Sequence, residues 1–144
     1  MVELLAAAVL YLPWPSISCA NDPRLQNGKY AAVYSPDTRT IVLSLNICGN
    51  LEQLQSNQST VYYENIHAIF TLAHELAHAE GIADEHLADC RAETIWTGIA
   101  RKIHIPLMKI RKVQSALFKL DFPRILHGES CVRQPYLRKK EVFN

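Results

Sequence analysis

Apolar positions in the middle of the chain recur with the period of a helix. From Val61 onward they fall at Tyr62, Ile66, Ile69, Phe70, Ala73, Leu76 and Ala77, in steps that place them on one face. Gly81 ends the stripe, because glycine takes the left-handed conformation that closes a helix without steric penalty. A second helix is expected from about Asp84 to Lys102, with Asp84 as its N-cap. Pro106 stops or restarts that segment, and Leu107 to Leu120 reads as a third helix. The upstream pattern is different. Tyr30 to Tyr34 and Thr40 to Leu45 are rich in Val, Ile, Tyr and Thr. They flank Ser35-Pro36-Asp37-Thr38-Arg39, whose Pro and Asp are turn residues, so a β-hairpin is expected. Ile17 to Ala20 reads as a further short strand, Gln53 to Ser59 as a polar loop and Val2 to Tyr11 as a short N-terminal helix. Pro123 and Pro135 mark an irregular tail. Strands first and helices afterwards predict an α+β domain.

Composition narrows the function classes. With 144 residues, 49% hydrophobic and 20% charged, the chain reads as one globular domain spanning 1–144. A net charge of +1 argues against a general nucleic-acid binder, which needs a cationic surface. Basic residues do gather between Lys102 and Lys140. They read as a solvated helix face and a soluble tail, and no nucleic-acid partner is expected. No apolar run reaches the roughly 18 residues of a membrane span. The longest, Leu4 to Trp14, is broken by Pro13, and Glu3 stands where a secretory signal carries a basic residue. Ser16 to Cys19 matches a lipoprotein cleavage site poorly. A cytoplasmic location is therefore favoured, with secretion left open by the apolar N-terminus. Cys19, Cys48, Cys90 and Cys131 form no C-x-x-C pair. They are read first as small buried hydrophobes, with their pairing open.

The candidate chemistry lies inside the first long helix, at His74-Glu75-Leu76-Ala77-His78. Residues four apart share a helix face, so His74 and His78 can offer their imidazoles to one ion. Glu75 is rotated about 100° from His74; it would miss the ion but reach a water beside it. This is the geometry of H-E-x-x-H hydrolases. Shuffling a chain with 6 His and 9 Glu yields the pattern with a probability of roughly 1.5%, so its context decides. The context is a strongly periodic helix followed at once by the acidic segment Asp84-Glu85-His86-Leu87-Ala88-Asp89-Cys90. If the two helices pack, Glu85 can complete a His-His-Glu set. Asp89, one turn behind, can bond the outer nitrogen of a ligating histidine and fix its tautomer.

His74-Glu75-x-x-His78 followed by Glu85-x-x-Ala88-Asp89 resembles the zinc metallopeptidases called gluzincins, most closely their minimal, small-domain members. Ala88-Asp89-Cys90 followed by Ala92 is similar to small bacterial ones. The likeness covers about 20 residues, His74 to Glu93, and loosely the element order over 30–101. It implies a zincin-like fold, with a short antiparallel sheet or hairpin against an active-site helix and a following glutamate helix. It implies Zn2+ as cofactor, a peptide or protein substrate and metalloendopeptidase activity. Glu75 would be the general base, His74, His78 and Glu85 the metal ligands, and Asp89 their support. Residues 30–101 would be the catalytic core, and 106–144 a basic helical segment beyond it. Related enzymes often stabilise the oxyanion with a later Tyr or His; here His104, His127 and Tyr136 are candidates.

The same stretch also reads H-E-x-x-H-x-x-G-x-x-D, with Asp84 as third ligand, which resembles metzincins. Those carry a methionine turn beneath the metal, and the only later methionine, Met108, falls in an expected helix. Glu85 is therefore preferred and Asp84 kept as the alternative. A different class of function, a zinc-binding interaction domain without turnover, would use the same ligands. His67, two turns before His74, reads as a core or groove-lining residue, His86 as surface and Cys90 as packing. The ordinary role for Asp89 would be an ion pair with Arg91 or Lys102.

Overall fold

The computed structural model describes residues 15–25, 31–56, 62–106 and 108–109. The expected N-terminal helix, the irregular tail and all of the third helix except Met108 and Lys109 lie outside these residues.

Three short strands come first: β1 (Ser16–Cys19), β2 (Ala32–Ser35) and β3 (Thr40–Leu43), with a 3-10 turn at Pro23–Leu25. The β2–β3 hairpin forms as expected, antiparallel, with Val33 opposite Val42 and Tyr34 opposite Ile41. The sheet order is β1-β3-β2, and β1 runs parallel to β3, with Ile17 opposite Ile41. The sheet is therefore mixed, which corrects the expected antiparallel one. A hairpin announces itself through its turn, whereas a four-residue strand carries no local mark of the direction in which it will pair. As the central strand, β3 is covered on both faces. Ile41 and Leu43 enter the main core, while the buried Val42 points the other way.

Helix α1 (Leu45–Ser56) was not expected. Ser44 starts it, its Oγ accepting the Ile47 amide at 3.2 Å, as an N-cap does. Ile47, Cys48, Leu51 and Leu54 form its buried stripe. The stripe is diluted by Asn46, Gly49, Asn50 and Gln53, of which glycine alone costs about 1 kcal/mol against alanine in a helix. The tertiary burial of four side chains outweighs that weak local preference. Packing of α1 beside β1 also brings the Cys19 and Cys48 Cα atoms to 6.1 Å, and the two are joined in a disulfide. Cys90 is disulfide-bonded too, its partner outside the described residues. The cysteines thus serve as cross-links in addition to filling space, a correction that two residues 29 apart in sequence could not reveal.

The centre of the fold is α2 (Tyr63–Ala79), buried on most of its circumference. Its first turn is tied to α1 through the fully buried Asn65. The Oδ1 of Asn65 accepts the Tyr62 amide at 2.9 Å, and its Nδ2 donates to the Asn50 carbonyl at 2.9 Å. Gly81, with φ of 94°, ends the helix as expected. The left-handed turn lets the Ile82 amide reach back to the Ala77 carbonyl at 3.3 Å. After this tight turn comes α3 (Glu85–Lys102), with Asp84 as N-cap, its Oδ1 accepting the Leu87 amide at 2.9 Å. Helix α3 packs chiefly against α2. Both helices turn fully buried alanines to the core, Ala73 and Ala77 from one, Ala88 and Ala92 from the other. Small seam residues let helix axes approach closely. Further along, Phe70 and Trp96 meet edge to face at 6.5 Å. Over the described residues the result is an α+β arrangement with a three-stranded mixed sheet and three helices. Among the described residues no helix is long and apolar enough to cross a membrane.

Candidate metal centre

The tight α2–α3 turn folds the first residue of α3 back over the last two turns of α2. Glu85 thereby meets the two histidines. The Nε2 atoms of His74 and His78 are 3.0 Å apart. Glu85 places Oε2 3.1 Å from the His74 nitrogen and Oε1 3.3 Å from that of His78. The histidines are mostly covered, whereas the Glu85 side chain is 63% exposed, so the cluster opens to solvent on one side.

The outer nitrogens decide what this cluster can do. His78 Nδ1 lies 2.6 Å from the Ile82 carbonyl oxygen. A carbonyl only accepts, so Nδ1 carries the proton and Nε2 of the neutral ring presents a bare lone pair. His74 Nδ1 lies 2.7 Å from Oδ1 of the fully buried Asp89, which fixes the same tautomer. With both rings neutral, two lone pairs and a carboxylate converge on one point. Such a cluster repels itself unless a proton or a metal cation sits among its atoms. The two imidazole nitrogens are 3.0 Å apart, and each has a Glu85 oxygen near it, Oε2 at 3.1 Å from His74 and Oε1 at 3.3 Å from His78, close to the separation of about 3.3 Å that bonds of 2.0–2.1 Å give between tetrahedral ligands. The residues present therefore fit a small divalent ion with nitrogen and oxygen preference, and these three form a group able to hold a metal.

The surroundings tune the charges. For His74, burial disfavours the imidazolium, but the hydrogen bond and charge of Asp89, with Glu75 and Glu85, outweigh it and raise the pKa above the usual imidazole value. Glu75 is buried beside His74. Burial pushes its carboxyl pKa up, the two histidines and the Tyr34 backbone amide of β2 counteract, and Glu85 adds to the rise. Glu75 therefore sits where helix and edge strand meet, holding its proton more readily than a surface carboxylate.

Other expected residues fall elsewhere. Asp84 caps α3 and does not join the cluster. His67 is half-buried and stacked on Tyr63, its pKa lowered by burial against the opposing charge of Glu64. His86 points its Nε2 towards the Cys90 sulfur at 3.9 Å. His104 lies past the far end of α3, about 27 Å of helix from Glu85, too far to act as oxyanion donor. His127 and Tyr136 lie outside the described residues. Met108 is exposed and lies under no metal site. Arg91 pairs with Glu80, Nε to Oε2 at 2.8 Å and Nη2 to Oε1 at 3.0 Å, while Asp89 holds His74.

Two contributors escaped sequence reasoning. The Ile82 carbonyl is a backbone group, traceable only to the turn that Gly81 imposes. The Glu80–Arg91 pair joins opposite charges 11 residues apart, a separation with no meaning until the helices pack. The chain matches no protein-family model, no curated protein and no solved structure, so its function has to be read from this geometry.

Proposed function

We propose that the protein is a zinc-dependent metallopeptidase of minimal gluzincin type. The observation that carries this reading is the convergence of two histidine Nε2 atoms and a carboxylate, with a buried glutamate alongside. His74, His78 and Glu85 would hold the ion, Asp89 and the Ile82 carbonyl keeping the imidazoles in the ligating tautomer. Zinc bound there supplies Lewis acidity, lowering the pKa of a water towards about 7 and polarising a carbonyl. Glu75 takes the proton of the attacking water and delivers it to the leaving amine. Edge strand β2, beside Glu75, offers an extended backbone along which a peptide can align. The helix pair against a small sheet supports a zincin-like fold for the core. The exposed side of Glu85 favours an open, catalytic site over a closed structural one, and the N-cap role of Asp84 favours the gluzincin ligand set over the metzincin one. The disulfides support an oxidising compartment over the cytoplasm.

The test is elemental analysis of the purified chain together with turnover of a peptide library. Wild type should carry about one zinc and cleave peptides, and Glu75→Gln should keep the zinc and lose the cleavage. Equal cleavage by Glu75→Gln would sink the mechanism. Zinc without cleavage of any library or candidate protein would leave a metal-binding interaction domain. No zinc after reconstitution would remove the metal reading.

A further inference from the structure

We propose that the buried Glu80–Arg91 ion pair is a positioning element of the metal centre, setting the rotation and register of α3 so that Glu85 and Asp89 face His74 and His78. The inference rests on the metal reading above.

Glu85 is largely exposed, so little packing holds its side chain, and its place is inherited from the backbone of α3. Near the site the seam is a weak guide to register, since the alanines that α2 and α3 turn to the core are alike and the bulkier Phe70–Trp96 contact lies further along the pair. A shift of one residue along the axis moves a ligand by about 1.5 Å, enough to break the cluster. The ion pair supplies what the seam lacks. Glu80, the C-cap of α2, follows His78 by two residues, and Arg91 follows Asp89 by two. The contact is two-pronged, at 2.8 and 3.0 Å, and a planar fork fixes orientation as well as distance.

Position on the helix adds to this. Arg91 stands about 200° around α3 from Asp89. The Asp89–His74 bond and the Arg91–Glu80 pair therefore grip α3 on different sides, and two such grips oppose its rolling.

Stability alone does not account for the pair. Both side chains are 2% exposed, and Arg91 Nη1 is buried without a hydrogen-bond partner among the described residues. Desolvating two charges and leaving a donor unpaired is an inefficient way to stabilise a fold. Apolar residues of similar volume commonly do as well or better.

The full chain is compared with Glu80→Leu/Arg91→Met, Arg91→Met and Arg91→Lys. Three quantities are measured: zinc affinity by competition with a chromophoric chelator, the visible spectrum of the Co2+-loaded protein, and thermal unfolding in metal-free buffer. Arg91→Met should unfold early, because it strands a buried carboxylate. The double variant should unfold at or above the wild-type temperature, yet bind zinc at least about tenfold more weakly and show an altered cobalt spectrum. Arg91→Lys, keeping the charge but losing the fork, should stay folded with weakened zinc binding. A double variant with wild-type zinc affinity and cobalt spectrum overturns the proposal while leaving the metal reading intact. A double variant that unfolds as early as Arg91→Met assigns the pair to stability and also overturns it. Wild type that binds no zinc overturns both readings.

Discussion

Around Cys19 and Cys48 the chain is held by a covalent bond between β1 and α1. Between α2 and α3 it is held by a seam of alanines, the Phe70–Trp96 contact and buried polar groups that reach across the helix pair. The first region carries none of the metal-holding side chains, and the second carries all three. A disulfide limits the freedom of the unfolded chain and is indifferent to where a side chain points. A hydrogen bond that an imidazole donates to a fully buried carboxylate aims that ring. The sheet half is thus tied by the Cys19–Cys48 bond, whereas in the site half, where Cys90 is also cross-linked, directional contacts aim the ligands.

The largest break in this contrast should come from Trp96→Ala. It empties the fully buried end of the α2–α3 seam and should cost about 3–5 kcal/mol in urea unfolding. Zinc binding should fail with the fold. A loss below about 1 kcal/mol would mean the seam is held elsewhere. Next, Cys19→Ala with Cys48→Ala opens a loop of 29 residues and should cost about 3–4 kcal/mol. The folded variant should bind zinc as wild type does. Weaker binding would show that the sheet half also aims the ligands and would blur the division. Asp89→Asn keeps the shape but removes the charge behind His74. Zinc affinity by chelator competition should fall about 10–100-fold, and an unchanged affinity would count against directional control. Smallest is Asp84→Ala, which removes an N-cap and should cost about 1 kcal/mol. Elemental analysis should still find zinc bound, whereas loss of the metal would make Asp84 a ligand.

Much of the site was legible before any tertiary contact was known. The i, i+4 histidines, Glu75 between them, the Gly81 stop and the Asp84 cap are statements about one or two turns of backbone. Glu85 and Asp89 were legible as a helix face, on the condition that the two helices pack. Helix α1 was hidden because its polar and glycine content lowers local helical preference, and burial of Ile47, Cys48, Leu51 and Leu54 overrides it. His104, one of three open oxyanion candidates, falls past the far end of an 18-residue helix from Glu85, a separation that sequence order alone does not convey.

The sequence by itself determined the helix periods, the hairpin turn, the caps and the offset between candidate ligands. All of these follow from sterics and hydrogen bonding within a few residues. Tertiary structure alone decided the parallel pairing of β1, the Cys19–Cys48 bond, the Ile82 carbonyl behind His78 and the burial of Glu80 with Arg91. Each depends on how close separate elements come and at what angle. That is set by burying the shared apolar core, to which every element contributes only a part.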